Sequence, residues 1–209
     1  QPGKLSEDCW SRGNGWGALA LSTLVRDLPA THSRYEEVAE LAIRFFTAVL
    51  RYQDKEGLWH QEMTDSSSYI ETSGSGLLLY GLGIMLEKGM LGSRYMENFR
   101  RGLQAFTSYI SSDGSVSHTC KGCLCPGEGT KADYRTHPWI YNDAHAFGPA
   151  VLAFTQASKM GIEKIEPLKK LGYYNEAPRT YVSFARGKDV AWENDRIAFR
   201  VFGPAVRDK

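Results

Sequence analysis

The sequence predicts an all-α fold of helical hairpins, part of an α/α toroid, followed by the start of a β-rich segment. Three observations carry that expectation. Five segments show apolar residues at helical spacing. Segments apolar nearly all round alternate with segments that keep a wet face, as inner and outer rings require. One connector recurs: Tyr52-Gln-Asp-Lys-Glu-Gly57-Leu-Trp-His60 and Tyr109-Ile-Ser-Ser-Asp113-Gly114-Ser-Val-Ser-His118 each run from a Tyr through an Asp/Gly turn to a His. They lie about 57 residues apart, the mark of a repeated hairpin.

The first helix is expected at 14–28, with Leu19, Leu21, Leu24, Val25 and Leu28, ending before Pro29. A second, 33–52, starts from Ser33 with Glu36 three residues on, a capping-box spacing. Its stripe is Val38, Leu41, Ala42, Phe45, Phe46, Val49 and Leu50. The third, 71–90, runs Leu77-Leu78-Leu79 to Leu86 with no polar face and belongs inside a larger core. A fourth, 93–111, sets Met96, Phe99, Leu103 and Phe106 against Glu97, Arg100 and Arg101. The fifth, 144–160, is again apolar, with Phe147, Val151, Leu152 and Phe154. Hairpins of this kind close a ring at about six pairs, since each buries its apolar face only on its neighbours. A preceding region of similar size, the upstream half of the same polypeptide, is therefore expected, and the first residue is Gln1 rather than Met.

The toroid portion is assigned to 1–162. Residues 163–177 mix charges, Pro and a Tyr pair and read as a linker. From 178 onward, Arg179-Thr-Tyr-Val-Ser-Phe-Ala and Arg196-Ile-Ala-Phe-Arg-Val-Phe alternate at period two, as half-buried strands do, so 178–209 reads as the beginning of a β-rich appended domain.

The net charge of +1 supplies no basic field for nucleic acid, and the longest near-apolar run, Leu77 to Leu86, is too short to span a bilayer. Aromatic residues are 12% of the chain, and four of the five Trp stand in loop-like settings. Such indoles suit the apolar faces of sugar rings, and equally suit packing beneath loops.

Each inner helix begins in a polar, small-residue motif: Trp10-Ser-Arg12-Gly-Asn14-Gly-Trp16, Tyr69-Ile-Glu71-Thr72-Ser73-Gly-Ser-Gly, and Asn142-Asp143-Ala-His145-Ala-Phe-Gly148. Inner helices running one way open their N-termini at one end of the ring, where free N–H groups favour an anion. Arg12 adds a planar cation able to grip a carboxylate in two places, or to clamp loop carbonyls. Glu71 and Thr72 read as helix caps. Asp143 reads either as a cap of the fifth helix or as a sugar or water contact. His145 reads either as a partly buried imidazole or as a functional one, and His60 and His118 either close turns or share the same rim. The substrate-binding candidates are Trp10, Arg12, Asn14, Trp16, His60, Asp143 and His145; no catalytic acid is assigned.

His118, Cys120, Cys123 and Cys125 fall within eight residues. Zinc sites usually present two spaced pairs, and this run has one Cys-x-x-Cys, so free thiols or a bridge are favoured over metal. No metal or other cofactor is expected.

The stretch Trp10-x-Arg12-Gly13-Asn14-Gly15-Trp16 ahead of an apolar helix resembles the signature of unsaturated rhamnogalacturonyl hydrolases, glycoside hydrolase family 105, related to the unsaturated glucuronyl hydrolases of family 88. Tyr52-Gln-Asp-x-x-Gly57-Leu58-Trp59, Glu71-Thr72-Ser73 and Asn142-Asp143-x-His145-x-x-Gly148 continue it in order. The resemblance implies an (α/α)6 barrel, of which this chain is the C-terminal portion. It also implies an oligosaccharide substrate ending in a 4,5-unsaturated uronate, removed by hydration of its vinyl ether. Arg12 and Trp16 match positions that hold the uronate, Trp10 walls the pocket, and the family's acid Asp belongs to the half preceding these residues. The segment around Ala191-Trp-Glu-Asn-Asp-Arg resembles the start of an uncharacterised domain appended to some bacterial members. Alternatives are a toroidal glycosidase or lyase of another family, or a non-catalytic helical-repeat module that binds a partner protein. The residues do not assign a compartment, cytoplasmic or periplasmic.

Overall fold

The computed structural model describes residues 8–124, 130–162, 164–165, 179–183, 189–193 and 198–201. The chain divides into two compact units, Gln1–Tyr109 with Val116–Lys169, and Ile110–Ser115 with Lys170–Lys209.

The first unit is helical: α1 (Ser11–Asp27), α2 (Tyr35–Val49), α3 (Thr72–Glu87), α4 (Met96–Thr107), α5 (Lys131–Thr136) and α6 (Phe147–Lys159), with a two-stranded antiparallel ribbon, β1 (Thr119–Cys120) and β2 (Trp139–Ile140), pairing Thr119 with Ile140. Helix α3 is the centre, buried without interruption from Thr72 to Met85. Its glycines decide which neighbour sits where. Gly74 and Leu77 meet α1 at Ser11, Arg12 and Gly15, whereas Gly76 and Gly83, half a turn round, meet α6 at Pro149 and Gln156. Small residues let the backbones approach, and the Leu residues between them interdigitate. Leu78, Leu79 and Ile84 are wholly buried, each contributing about 1.5–3 kcal/mol relative to exposure.

Helix α2 packs on α1 and α4 on α3, each through one face: Ala39, Ala42, Phe46 and Val49 from α2; Phe99, Gly102, Leu103 and Phe106 from α4. The alternation of inner and outer helices expected from the sequence is thus present. The two connectors also repeat in detail. Asp54 Oδ1 accepts from the Glu56 amide at 2.7 Å and Asp113 Oδ1 from the Ser115 amide at 3.0 Å, and the adjoining Gly57 and Gly114 both have positive φ.

Five features differ from the expectations. Helix α1 begins at Ser11 rather than 14, so the Trp10–Trp16 motif forms its first turns instead of preceding it. Ser33 is not a cap: Pro29 to Tyr35 forms consecutive turns, α2 follows Arg34, and Arg34 pairs with Glu37. Helix α6 starts at Phe147, so Asp143 does not cap it. Helix α5 was not expected; Thr130 and Asp133 cap it reciprocally. Trp59, read among the loop indoles, is 1% exposed core, with its Nε1 donating to the Val49 carbonyl at 2.8 Å.

The second unit carries an antiparallel sheet in the order β3 (Arg179–Ser183), β4 (Asp189–Glu193), β5 (Ala198–Val201), with Tyr181 opposite Ala191 and Trp192 opposite Phe199. The middle strand lies between the two stretches expected as strands. Apart from 164–165, the expected linker 163–177 lies outside the described residues. Among the described residues, no helix is long and apolar enough to cross a membrane.

Candidate functional site

The site grows from the place where α1 and α3 meet at their first turns. Trp10 bridges Glu62 in an extended pairing and the Ser11 amide donates to the Gln61 carbonyl at 3.0 Å, fixing where α1 starts. Arg12, one position into the helix, therefore projects across the first turn of α3 and is 2% exposed. Its Nη1 donates to Ser73 Oγ at 3.3 Å and to the Cys120 carbonyl at 3.0 Å, and lies 3.9 Å from Asp143 Oδ1. Its Cζ stands 4.9 Å from the Trp10 ring centroid, a cation–π distance. The carbonyl clamp considered from sequence is therefore present. The same guanidinium also faces the start of α3 and the segment ahead of α6, so the three motifs converge on it.

Glu71 is buried at the head of α3. Its carboxylate accepts from the amides of Ser73 and Gly74, as a cap does, and additionally from Ser73 Oγ at 2.5 Å and the Cys120 amide at 3.1 Å. Thr72 Oγ1 donates to the Ser117 carbonyl at 2.9 Å, tying α3 to the segment that leads into β1.

Asp143 is placed by Asn142, whose amide and side chain exchange hydrogen bonds with the Val116 backbone at 2.9 Å each and whose φ is +51°. Asp143 Oδ1 accepts from the His145 amide at 2.9 Å and lies 2.6 Å from His145 Nδ1. Burial works to raise the pKa of Asp143, but the amide and ring of His145 and the charge of Arg12 outweigh it and hold the carboxyl below its ordinary value. His145 is half exposed beside it.

The other candidates are placed differently. Trp10 is half-buried and packs its ring on Tyr134 at 5.5 Å. Asn14 Nδ2 donates back to the Trp10 carbonyl at 2.9 Å, a bond within the helix. Trp16, one turn beyond Arg12, is 48% exposed. His60 does not join the cluster: Nδ1 meets the Ser68 carbonyl at 2.5 Å and Nε2 lies 3.5 Å from Asp54 Oδ2, so it closes its own turn. Its repeat counterpart, His118, has φ +57° and stacks on Trp139 at 4.1 Å; burial lowers its pKa. Ser73, Cys120 and Tyr134 escaped the sequence reading as site residues.

Cys9, Cys120 and Cys123 are free thiols, and Cys125 lies outside the described residues. Cys120 Sγ donates to the Gly122 carbonyl at 3.0 Å and accepts from Gln61 Nε2 at 3.1 Å; burial pushes its pKa up. Among the described residues, no group of three or more His, Cys, Asp or Glu could hold a metal ion.

Residues 2–161 match the family described as Glycosyl Hydrolase Family 88. The chain is 30% identical over 118 residues to the unsaturated rhamnogalacturonyl hydrolase YesR of Bacillus subtilis (strain 168), covering 56% of this chain and 33% of that protein. It is 28% identical over 111 residues to an unsaturated 3S-rhamnoglycuronyl hydrolase of Alteromonas sp. (strain LOR), covering 52% and 27%. Among solved structures, a family 105 glycoside hydrolase of C. acetobutylicum ATCC 824 superposes with a TM-score of 0.68 at 25% identity, over 74% of this chain and 47% of that one. The chain therefore spans about a third of these two curated relatives and about half of that structure. Helices α1 to α4 and α6, arranged as alternating inner and outer elements and matched by the family along their whole length, place the chain in Glycosyl Hydrolase Family 88.

Proposed function

We propose that this chain forms the uronate-binding wall of a hydrolase that removes a 4,5-unsaturated uronic acid from the end of an oligosaccharide. The observation that carries the reading is Arg12, a cation held at the junction of the inner-helix N-termini, with Asp143–His145 beside it. A carboxylate entering there meets a guanidinium whose position is already fixed, so little side-chain entropy is lost on binding. Trp16, half exposed one turn away, offers an apolar face to the ring.

In the reaction an acid protonates C4 of the vinyl ether and water adds at C5. The hemiketal then opens, and the glycosidic oxygen leaves with the aglycone. One acid/base group suffices, at an expected gain on the order of 10²–10⁴. Asp143 is a poor donor for that step, because the His145 amide and ring and the Arg12 cation beside it favour its charged form. The acid is assigned instead to the upstream half of the polypeptide. The edges of the helical array support that partner. On α1 the side opposite α3 exposes Gly13, Ala20 and Leu24; on α6 the side opposite α3 exposes Phe147 and Val151. Further inner helices packing there would cover both. The segment from 178 is taken as the start of an appended domain.

The test is loss of the double-bond absorbance by the full-length parent, with and without Arg12→Ala. A large rise in KM is expected, and an unchanged rate at low substrate would overturn the role of Arg12.

A further inference from the structure

We propose that Glu71 is a positioning residue for substrate recognition, one carboxylate oxygen of which orients both acceptors that hold Arg12. The inference rests on the reading of Arg12 as the uronate-binding cation. A helix cap needs only to satisfy the first free amides, and Asp, Asn, Ser or Thr commonly does so. Glu71 makes two such bonds, to Ser73 and Gly74, and then two more that capping does not require. The same atom, Oε1, takes the Ser73 hydroxyl proton at 2.5 Å and the Cys120 amide proton at 3.1 Å.

Those two residues are the hydrogen-bond acceptors of Arg12 Nη1. A serine hydroxyl has one proton; once it is committed to Glu71, only lone pairs remain to face the guanidinium. Cys120, held through its amide, presents its carbonyl to the same nitrogen. Glu71 thus fixes the polarity of Ser73 and the place of Cys120, and through them the plane of Arg12. Among the described residues no protein acceptor takes a hydrogen bond from Arg12 Nη2 or Nε, so the pinned edge of the guanidinium is Nη1. The carboxylate itself is 0% exposed, a costly state that its four donors and the helix N-terminus offset.

The test uses the full-length parent and an unsaturated uronyl disaccharide. Glu71→Gln keeps the shape but turns an acceptor into a donor facing N–H or O–H groups. We expect KM to rise about tenfold or more, the worth of a misdirected charge-assisted bond, with a smaller change in kcat. In the Arg12→Ala background the same substitution adds little, because the group it positions is gone. Ser73→Ala, which leaves the backbone capping bonds intact, gives the same coupled pattern at smaller size and serves if Glu71→Gln fails to fold. Equal KM effects with and without Arg12 would overturn the positioning role while leaving the Arg12 reading intact. An Arg12→Ala enzyme with unchanged KM would overturn the Arg12 reading itself.

Discussion

Gly74 lies against the backbone of Ser11 and Arg12, so α1 and α3 meet at their first turns with no side chain between them. A Cβ on Gly74 would stand 2.6 Å from the Arg12 amide nitrogen and closer still to Ser11. Backbone cannot rotate away as a flexible side chain can. Gly74→Ala should therefore destabilise the chain by about 1–3 kcal/mol or more, the usual cost of overpacking, and displace Arg12. Gly92→Ala, where nothing lies within 4 Å, is the matched control and should be near neutral. Urea midpoints of the two variants check the pair.

Trp59 separates the two uses of indoles considered from sequence. It is fully buried, and its Nε1 satisfies the Val49 carbonyl, the last residue of α2. Trp59→Phe keeps most of the packing but strands that carbonyl, at about 1–3 kcal/mol. Stability should fall while affinity for a uronyl disaccharide in the full-length protein is retained. A selective loss of affinity at unchanged stability would return Trp59 to the site.

Several groups give the chain an acid sensitivity of predictable sign, among them His118 and His137 in the histidine range and Asp143 in the carboxylate range. Burial lowers the pKa of His118 below 6.5, so the unfolded chain binds its proton first and stability is lost as pH falls through the ordinary histidine range. Asp143 has a folded pKa below 3.8; its contribution is present above that value and is lost as pH falls through the folded one. Unfolding free energy should therefore decline in two windows on acidification. His118→Asn, a residue that tolerates the positive φ, should reduce the upper window, to which His137 also contributes, and Asp143→Asn should reduce the lower, which it shares with other stabilised carboxylates such as Asp65 and Asp133. A wild-type profile unchanged by either substitution would contradict the assignment.

The legible parts of the fold were those where packing imposes a period. α3 is readable because every face is buried, and α2 and α4 because one face is. Helix α5 has six residues, too few for periodicity, and only Thr130-x-x-Asp133 marks it. Ser33 misled because its capping spacing to Glu36 competes with a local ion pair, Arg34 with Glu37, and the turns after Pro29 delay the helix. In the site, the type of residue needed was visible and its partners were not. Arg12 reaches Ser73 and Cys120 across 61 and 108 positions, contacts that exist only once α1, α3 and β1 are packed. His60 matched the repeat by spacing, yet its ring turned to Asp54 and Ser68 because both lie within its own loop.

The exposed sides of α1 and α6 yield the last prediction. Leu24 is 46% exposed and Val151 63%, each on the side of its helix turned away from α3. Aspartate there costs this chain little by itself, since neither side chain is buried against it. If neighbouring inner helices cover these positions, each buried apolar side chain is worth about 1.5–3 kcal/mol, and a charge adds a desolvation penalty on top. Leu24→Asp and Val151→Asp should leave the melting of the isolated chain nearly unchanged. They should abolish recovery of hydrolase activity when the chain is mixed with a separately produced upstream half. Thr155, exposed on the same side of α6 but already polar, supplies the comparison, and Thr155→Asp should weaken complementation much less. Recovery that survives both apolar substitutions would mean that the two halves meet elsewhere.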